Sequence, residues 1–197
     1  MHDFHSMEYV TKWARGVNNP VRESVFHHVV AHLTLLPYDP LHVVELAPGP
    51  GILAQVVLSK LPQITYEGLD FSRPMLTLAQ ERLADFEERI TLHHVDLRAD
   101  DWSSVLASTP SAIISMQALH DVGGETEHER IYRIAGDLLR PGGLLLNADY
   151  MRRSPEDRSP SSLEIKQHLT LLKANGFERV KCTLDFSRYG CVVGFTP

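Results

Sequence analysis

Residues 43–51 read Val-Val-Glu-Leu-Ala-Pro-Gly-Pro-Gly, an apolar run closed by an acid, Glu45, and followed by a turn at Gly49 and Gly51. Glycine lacks a Cβ and adopts backbone conformations that other residues resist, so such a turn lets a ligand approach the main chain closely. The chemistry implied is a carboxylate fixed beneath a tight binding loop. Two more acids, Asp70 and Asp96, close later apolar runs. His120, in Gln117-Ala-Leu-His-Asp121, is a side chain that titrates near neutrality and can take a proton from a hydroxyl or an amine. Tyr9 is a second catalytic candidate: with Trp13 it lies on a first helix that could close over a ligand, although Trp13 also suits a core position.

Each of these residues also has a plainer use. Glu45 could serve as an anion at a helix N-terminus, and Asp70 as a cap for the helix after it. His120 could be bonded to Asp121 or to the backbone. A metal reading of the other histidines is weak. His28 and His32 are one helical turn apart with no third ligand in view, and His93 and His94, adjacent on a strand, point to opposite faces. Cys182 and Cys191 read as small apolar filling.

These groups need a scaffold, and the chain supplies an alternating one. Met7, Val10, Trp13 and Val17 recur at helical spacing; Pro20 interrupts, and Val21, Val25, Val29 and Leu33 mark a second helix. Strands are predicted at Val43–Ala47, Ile64–Asp70, Ile90–Asp96, Ala112–Met116 and Leu144–Ala148, with helices at Gly51–Leu61, Ser72–Phe86, Asp101–Leu106 and Thr126–Leu139 between them. Ser72 caps its helix with Pro74 in the first turn. Thr126 with Glu129, and Ser161 with Glu164, fit capping boxes, and Gly176 ends the last helix. Such alternation predicts parallel strands with crossover helices. The runs Arg179–Phe186 and Cys191–Phe195 have only a short turn between them, so they must form an antiparallel hairpin. The expected fold is α/β: an open, doubly wound, seven-stranded sheet, mostly parallel with a C-terminal antiparallel hairpin, helices on both faces and two N-terminal lid helices. Residues 1–40 would be the helical lid and 41–197 one compact domain.

With 197 residues, 43% hydrophobic, the chain is long enough for one well-filled domain. A net charge of −6 argues against a nucleic-acid backbone as partner. The basic cluster Arg152, Arg153 and Arg158 is diluted by Glu156 and Asp157 and reads as a solvated loop. No apolar run approaches the roughly 18–20 residues a membrane helix needs, and the N-terminus has no signal-peptide pattern. A cytoplasmic protein with reduced thiols is expected.

Two ligand classes compete for the glycine turn. Gly49-Pro-Gly51-Ile-Leu-Ala54 satisfies the dinucleotide pattern, and Asp70 lies about 20 residues on, where a ribose acceptor belongs. Against a dinucleotide stands Pro50, which has no N–H to offer a pyrophosphate, and Glu45, whose charge suits a cation. S-adenosylmethionine has no phosphate and carries a sulfonium and an ammonium. Here the chain resembles the class I S-adenosylmethionine-dependent methyltransferases over about residues 41–196. Their acid-x-Gly-x-Gly-x-Gly motif aligns with Glu45, Ala47, Gly49 and Gly51, with Ala47 replacing the first glycine. The later motifs follow in order: Gly-Leu-Asp70-Phe-Ser, Asp96-Leu97, Met116-Gln117-Ala118 and Leu139-Arg-Pro-Gly-Gly143.

The resemblance implies S-adenosylmethionine as cofactor. Glu45, Ala47, Pro48, Gly49 and Gly51 would form the loop around it, with the prolines stiffening the turn. Asp70 would bind the ribose hydroxyls, Phe71 and Ser72 flank the adenosine, and Asp96 and Leu97 meet the adenine edge. Met116, Gln117 and Ala118 would line the methionine end, with His120 facing the methyl. The implied reaction is methyl transfer to oxygen, nitrogen or carbon of a small-molecule acceptor; a homodimer is compatible with this reading. The alternatives are an NAD(P)-dependent oxidoreductase, for which no Tyr-x-x-x-Lys is evident, and a non-catalytic methyltransferase-like binding protein.

Overall fold

The computed structural model describes residues 2–16, 19–99, 101–154 and 161–197; Val17, Asp100 and the linker residues Glu156, Asp157 and Arg158 lie outside these. Parallel strands β1 (Leu41–Leu46), β2 (Ile64–Asp70), β3 (Ile90–His94), β4 (Ala112–Met116) and β5 (Leu144–Tyr150) are followed by β6 (Glu178–Phe186) and β7 (Tyr189–Phe195). Their order in the sheet is β3-β2-β1-β4-β5-β7-β6, with β7 antiparallel to both β5 and β6. The expected seven-stranded, mostly parallel sheet with its C-terminal hairpin is therefore what the chain forms. Strand order reverses between β1 and β4, and open α/β sheets bind ligands in the crevice that this reversal opens at the strands' carboxyl ends.

Helices α1 (Met7–Gly16), α2 (Pro20–Thr34), α3 (Ile52–Lys60), α4 (Arg73–Arg82), α5 (Leu119–Val122), α6 (Glu125–Leu138) and α7 (Ile165–Ala174) complete the fold. Alternate strand residues feed two cores. Val43, Tyr66, Ile114 and Leu146 pack with α2 and α3, while Val44, Leu69, Ile113 and Leu145 pack with α6 and α7. Burial of both faces explains the consecutive apolar residues Val43-Val44 in β1 and Ala112-Ile113-Ile114 in β4. Val25, Phe26, Val29 and Leu33 place α2 within the first core.

Some local expectations shift. Pro20 is the first residue of α2, where its missing N–H costs nothing, and Asn19 caps that helix by accepting from Arg22 N–H at 3.1 Å. Thr126 and Ser161 are not caps. Helix α6 begins at Glu125 with Gly124 as cap residue, and Glu127 Oε2 accepts the Gly124 N–H at 2.8 Å. Helix α7 begins at Ile165, and Gln167 Oε1 accepts the Glu164 N–H at 3.0 Å. The helix predicted over Ser72–Phe86 is α4 followed by a 3-10 turn, Ala84–Arg89. Strand β3 stops two residues short of Asp96, whereas β5 runs two residues beyond Ala148, because β7 pairs with it as far as Tyr150↔Tyr189.

Candidate active site

The crevice holds a cavity of about 610 Å³. Gly49, Asp70, Phe71, Met75, Asp96, Leu97 and Arg98 line one end, and Gln117, Ala118, His120, Asp121, Val122 and Tyr150 the other. Trp13 and Arg22 complete the wall, and His2, Phe4 and His5 cover it.

The loop after β1 has the backbone that a glycine turn implies. Ala47 (φ 53°), Gly49 (φ 57°) and Gly51 (φ 72°) all sit in the left-handed region, which explains why a glycine would suit position 47. Gly49 and Ala47 line the cavity. Gly51 does not. A Cβ there would lie 3.3 Å from the Ala79 backbone, so this glycine lets α3 and α4 approach each other. Pro48 packs over Gly68, where an added Cβ would come within 3.0 Å of its ring.

Asp70 ends β2 on the cavity wall, almost fully buried. Its Oδ2 accepts from Gly49 N–H at 2.9 Å and its Oδ1 from Ser72 N–H at 2.8 Å. Burial pushes its pKa up to about 6, against the pull of those backbone bonds. The carboxylate is thus rigidly aimed, with lone pairs left for hydroxyl donors. Asp96 is half exposed and pairs with Arg98 through both oxygens at 3.1 Å. Slight burial opposes its ionisation, but the Arg98 bonds outweigh that and hold its pKa below the usual range. Arg98 in turn lies over the Phe71 ring.

Several sequence-predicted residues sit behind the wall. Glu45 is buried beneath the loop and accepts from Tyr66 OH at 2.8 Å; burial raises its pKa to about 7. Met116 belongs to the core. Ser72 caps α4 by accepting from Met75 N–H at 3.1 Å and donates to the Phe4 carbonyl, tying the N-terminal segment over the cavity. Tyr9 is not on the wall; its hydroxyl bonds His2 Nδ1. Trp13, which the sequence also suited to a core position, lines the cavity, because α1 packs along α4 at the cavity's rim.

His120 does face the cavity, and its partner is Asp149. Nδ1 lies 2.6 Å from Asp149 Oδ1, and the His120 N–H donates to Oδ2 at 3.0 Å. Asp149 is fully buried; its desolvation is overcome by these bonds and by Tyr150 N–H, so its pKa lies below the ordinary value. The same contacts outweigh the burial of His120 and raise its pKa. An ionised Asp149 must receive a proton, which assigns the hydrogen to Nδ1 and leaves Nε2 basic; Asp121 Oδ2 stands 3.5 Å from that nitrogen. Asp149 could have been found from the strand pairing: Met116 lies beside Ala148, so the turn after β4 must meet the end of β5.

The family model described as "Methyltransferase domain" matches residues 44–145, just over half of the chain. The chain belongs to the methyltransferase-domain family. It is 31% identical over 136 residues to a trans-aconitate 2-methyltransferase of Paracidovorax citrulli, covering 68% of this chain and 47% of that protein. The fold is shared with an O-methyltransferase family protein from Burkholderia thailandensis (TM-score 0.75, 17% identity, 89% of this chain and 56% of that one). Human N-acetylserotonin methyltransferase, solved in complex with SAM, superposes with TM-score 0.75 at 17% identity, over 98% of this chain and 57% of that one. The chain spans less than half the length of the curated relatives it matches. Within this methyltransferase domain the cavity lies where β1, β2 and β4 end. Arg22 is a wall residue without a sequence signal of its own.

Proposed function

We propose that the chain binds S-adenosylmethionine in this cavity and transfers its methyl to a hydroxyl of a small molecule. The observation that carries the proposal is that His120, paired with Asp149, lines the same cavity as Asp70 and Gly49. The lining suits the cofactor on its own chemistry. Asp70 offers a fixed acceptor to ribose hydroxyls, and Phe71, Met75 and Leu97 offer apolar and polarisable surface to adenine. Pro50 lacks the N–H that a pyrophosphate would need, which speaks against a dinucleotide.

When bound, the cofactor would supply a methyl activated by its sulfonium, with a neutral thioether as the leaving group that keeps the C–S electron pair. The protein's work is to place the acceptor and to take its proton. His120 Nε2 accepts that proton as the acceptor oxygen forms its bond to carbon, and Asp149 steadies the imidazolium that results. An acceptor that is already an anion, such as a carboxylate, needs no base, so the pair favours a hydroxyl. The N-terminal segment and α1 act as the lid, with Phe4 and Trp13 excluding water. The 610 Å³ cavity has room for cofactor and a small acceptor. Among the described residues no helix is long and apolar enough to cross a membrane; we place the protein in the cytoplasm, where its two free cysteines stay reduced. The test is calorimetric titration with S-adenosylhomocysteine, followed by incubation with labelled S-adenosylmethionine and a metabolite extract. Absence of binding, or binding without transfer of label, would sink the enzyme reading.

A further inference from the structure

Tyr150 lines the cavity beside His120, and the proton transfer leaves its side chain unused. It ends β5, and β7 brings Tyr189 directly opposite, with ring centroids 5.0 Å apart and hydroxyl oxygens 3.3 Å apart. That separation is long for a bond between hydroxyls, and only one of the two hydrogens can lie between the oxygens. The other is left to donate elsewhere. Burial first, and then Tyr189, pushes the Tyr150 pKa up to about 12, so the phenol keeps its proton and remains a donor.

A cation completes the group. The turn Ser187-Arg188 joins β6 to β7, and the Arg188 carbonyl accepts from Met151 N–H at 2.8 Å, which anchors the backbone from which its side chain starts. The exposed guanidinium stands 5.3 Å from the centroid of the Tyr150 ring, and that ring is 5.1 Å from the ring of His120. Among the described residues Arg188 forms no ion pair; Asp185, on the same hairpin, is held by Arg153 at 2.6 Å. The Arg188 charge is therefore felt at His120, where burial and this cation oppose the rise in pKa given by Asp149 and Asp121. An uncompensated cation near a base that must itself become a cation hinders proton transfer, unless an anion joins them.

We infer that Tyr150 and Arg188 bind a carboxylate of the methyl acceptor, which makes that acceptor a small hydroxy acid. This rests on the methyltransferase reading. Because the Tyr150 and His120 rings are in contact, a hydroxyl at His120 Nε2 and an acid group at Tyr150 belong to one small molecule. The Tyr150 hydroxyl donates to a carboxylate oxygen, and Arg188 supplies the compensating charge. One unpaired cation suits a monoanion; a phosphate dianion would leave a charge over. The bound carboxylate also cancels the effect of Arg188 on His120, so the acceptor itself strengthens the base that takes its proton.

The test is calorimetry on the S-adenosylhomocysteine complexes of wild type, Tyr150→Phe and Arg188→Gln, with circular dichroism to confirm folding. The probes are salicylate, 4-hydroxybenzoate and mandelate, each compared with its neutral amide. At least one carboxylate should bind wild type about tenfold more tightly than its amide and lose about that factor in each variant, while S-adenosylhomocysteine affinity is unchanged. Proton NMR of the His120 ring should show its pKa rising when that carboxylate binds wild type. Carboxylates that bind no better than their amides, a loss below about threefold in either variant, or a His120 pKa that does not rise overturns the inference. So does weakened S-adenosylhomocysteine binding in both variants, which would place the anion on the cofactor. If Tyr150→Phe does not fold, Arg188→Gln decides alone. Wild type that binds no S-adenosylhomocysteine would overturn the methyltransferase reading, and the same titrations on the free protein would then decide the carboxylate site.

Discussion

His120 carries two opposing pH dependences. Its folded pKa is raised above 6.5 by Asp149, so the stability this pair contributes is complete below pH 6.5 and fades as pH rises through the folded value. The proposed role of His120 as base needs the neutral ring, so kcat/KM should rise about tenfold per pH unit to a midpoint above 6.5 and then level off. Asp149→Asn removes the stronger of the two carboxylates that raise the pKa and leaves only Asp121 against burial, so the midpoint should move down; a rate profile in both proteins checks this. His120→Ala should lower kcat by about 10²–10⁴-fold with little change in S-adenosylhomocysteine affinity. Asp70→Ala should do the reverse, weakening that ligand by about 10–100-fold, the worth of hydrogen bonds to a charged acceptor. Titration calorimetry separates the two. Ala47 is held at φ 53°, so Ala47→Gly should stabilise the fold by about 0.5 kcal/mol, as relief of left-handed strain slightly exceeds glycine's entropic cost. Chemical denaturation measures it.

At the scale of elements, the site depends on how strands end and helices begin. Ser72 shows the coupling: its hydroxyl caps α4 and also binds the Phe4 carbonyl over the cavity. Ser72→Ala should therefore cost about 1 kcal/mol of stability from the lost cap. It should also speed proteolysis within residues 2–6, which a purely local capping role would leave untouched. Strand β5 makes the same point. Its extension to Tyr150 is sustained by β7, and Asp149 owes its burial to that extra pairing. Apolar patterning alone ended the strand at Ala148, because Asp149 interrupts the apolar run with an acid.

Across the whole molecule, buried histidines shape acid stability. His168 accepts a hydrogen bond from Tyr132 OH, whose oxygen is itself donated to by Asn147 Nδ2, and burial drives its pKa down to about 3. His128 and His42 are lowered by burial as well, and His42 Nε2 lies 3.0 Å from Glu67 without hydrogen-bond alignment. A depressed histidine is unprotonated in the folded state while the unfolded chain binds the proton. Its contribution is complete above pH 6.5 and is lost as pH falls toward 3, by up to about 1.4 kcal/mol per unit for His168. Glu45 has the opposite sign: raised to about 7, its protonated form favours the fold at low pH, and that gain disappears as pH rises through about 7. Thermal melts from pH 4 to 8 should show an acid loss that is shallower in His168→Gln.

The sequence by itself determined the order of strands and helices, the glycine turn, Asp70 at a strand end and His120 after the fourth strand. Those features are local: apolar runs, breakers and turn residues act over a few neighbours. What only the tertiary structure decided was who stands beside whom. Asp149 reaches His120 across 29 residues, and Arg22 reaches Gln117 across 95. It also decided that Glu45, Met116 and Gly51 support the cavity from behind and that the N-terminal segment covers it. Periodicity tells which face of an element is buried. It does not tell which buried acid a neighbouring strand will bring against which base, because sheet order and pairing length set that.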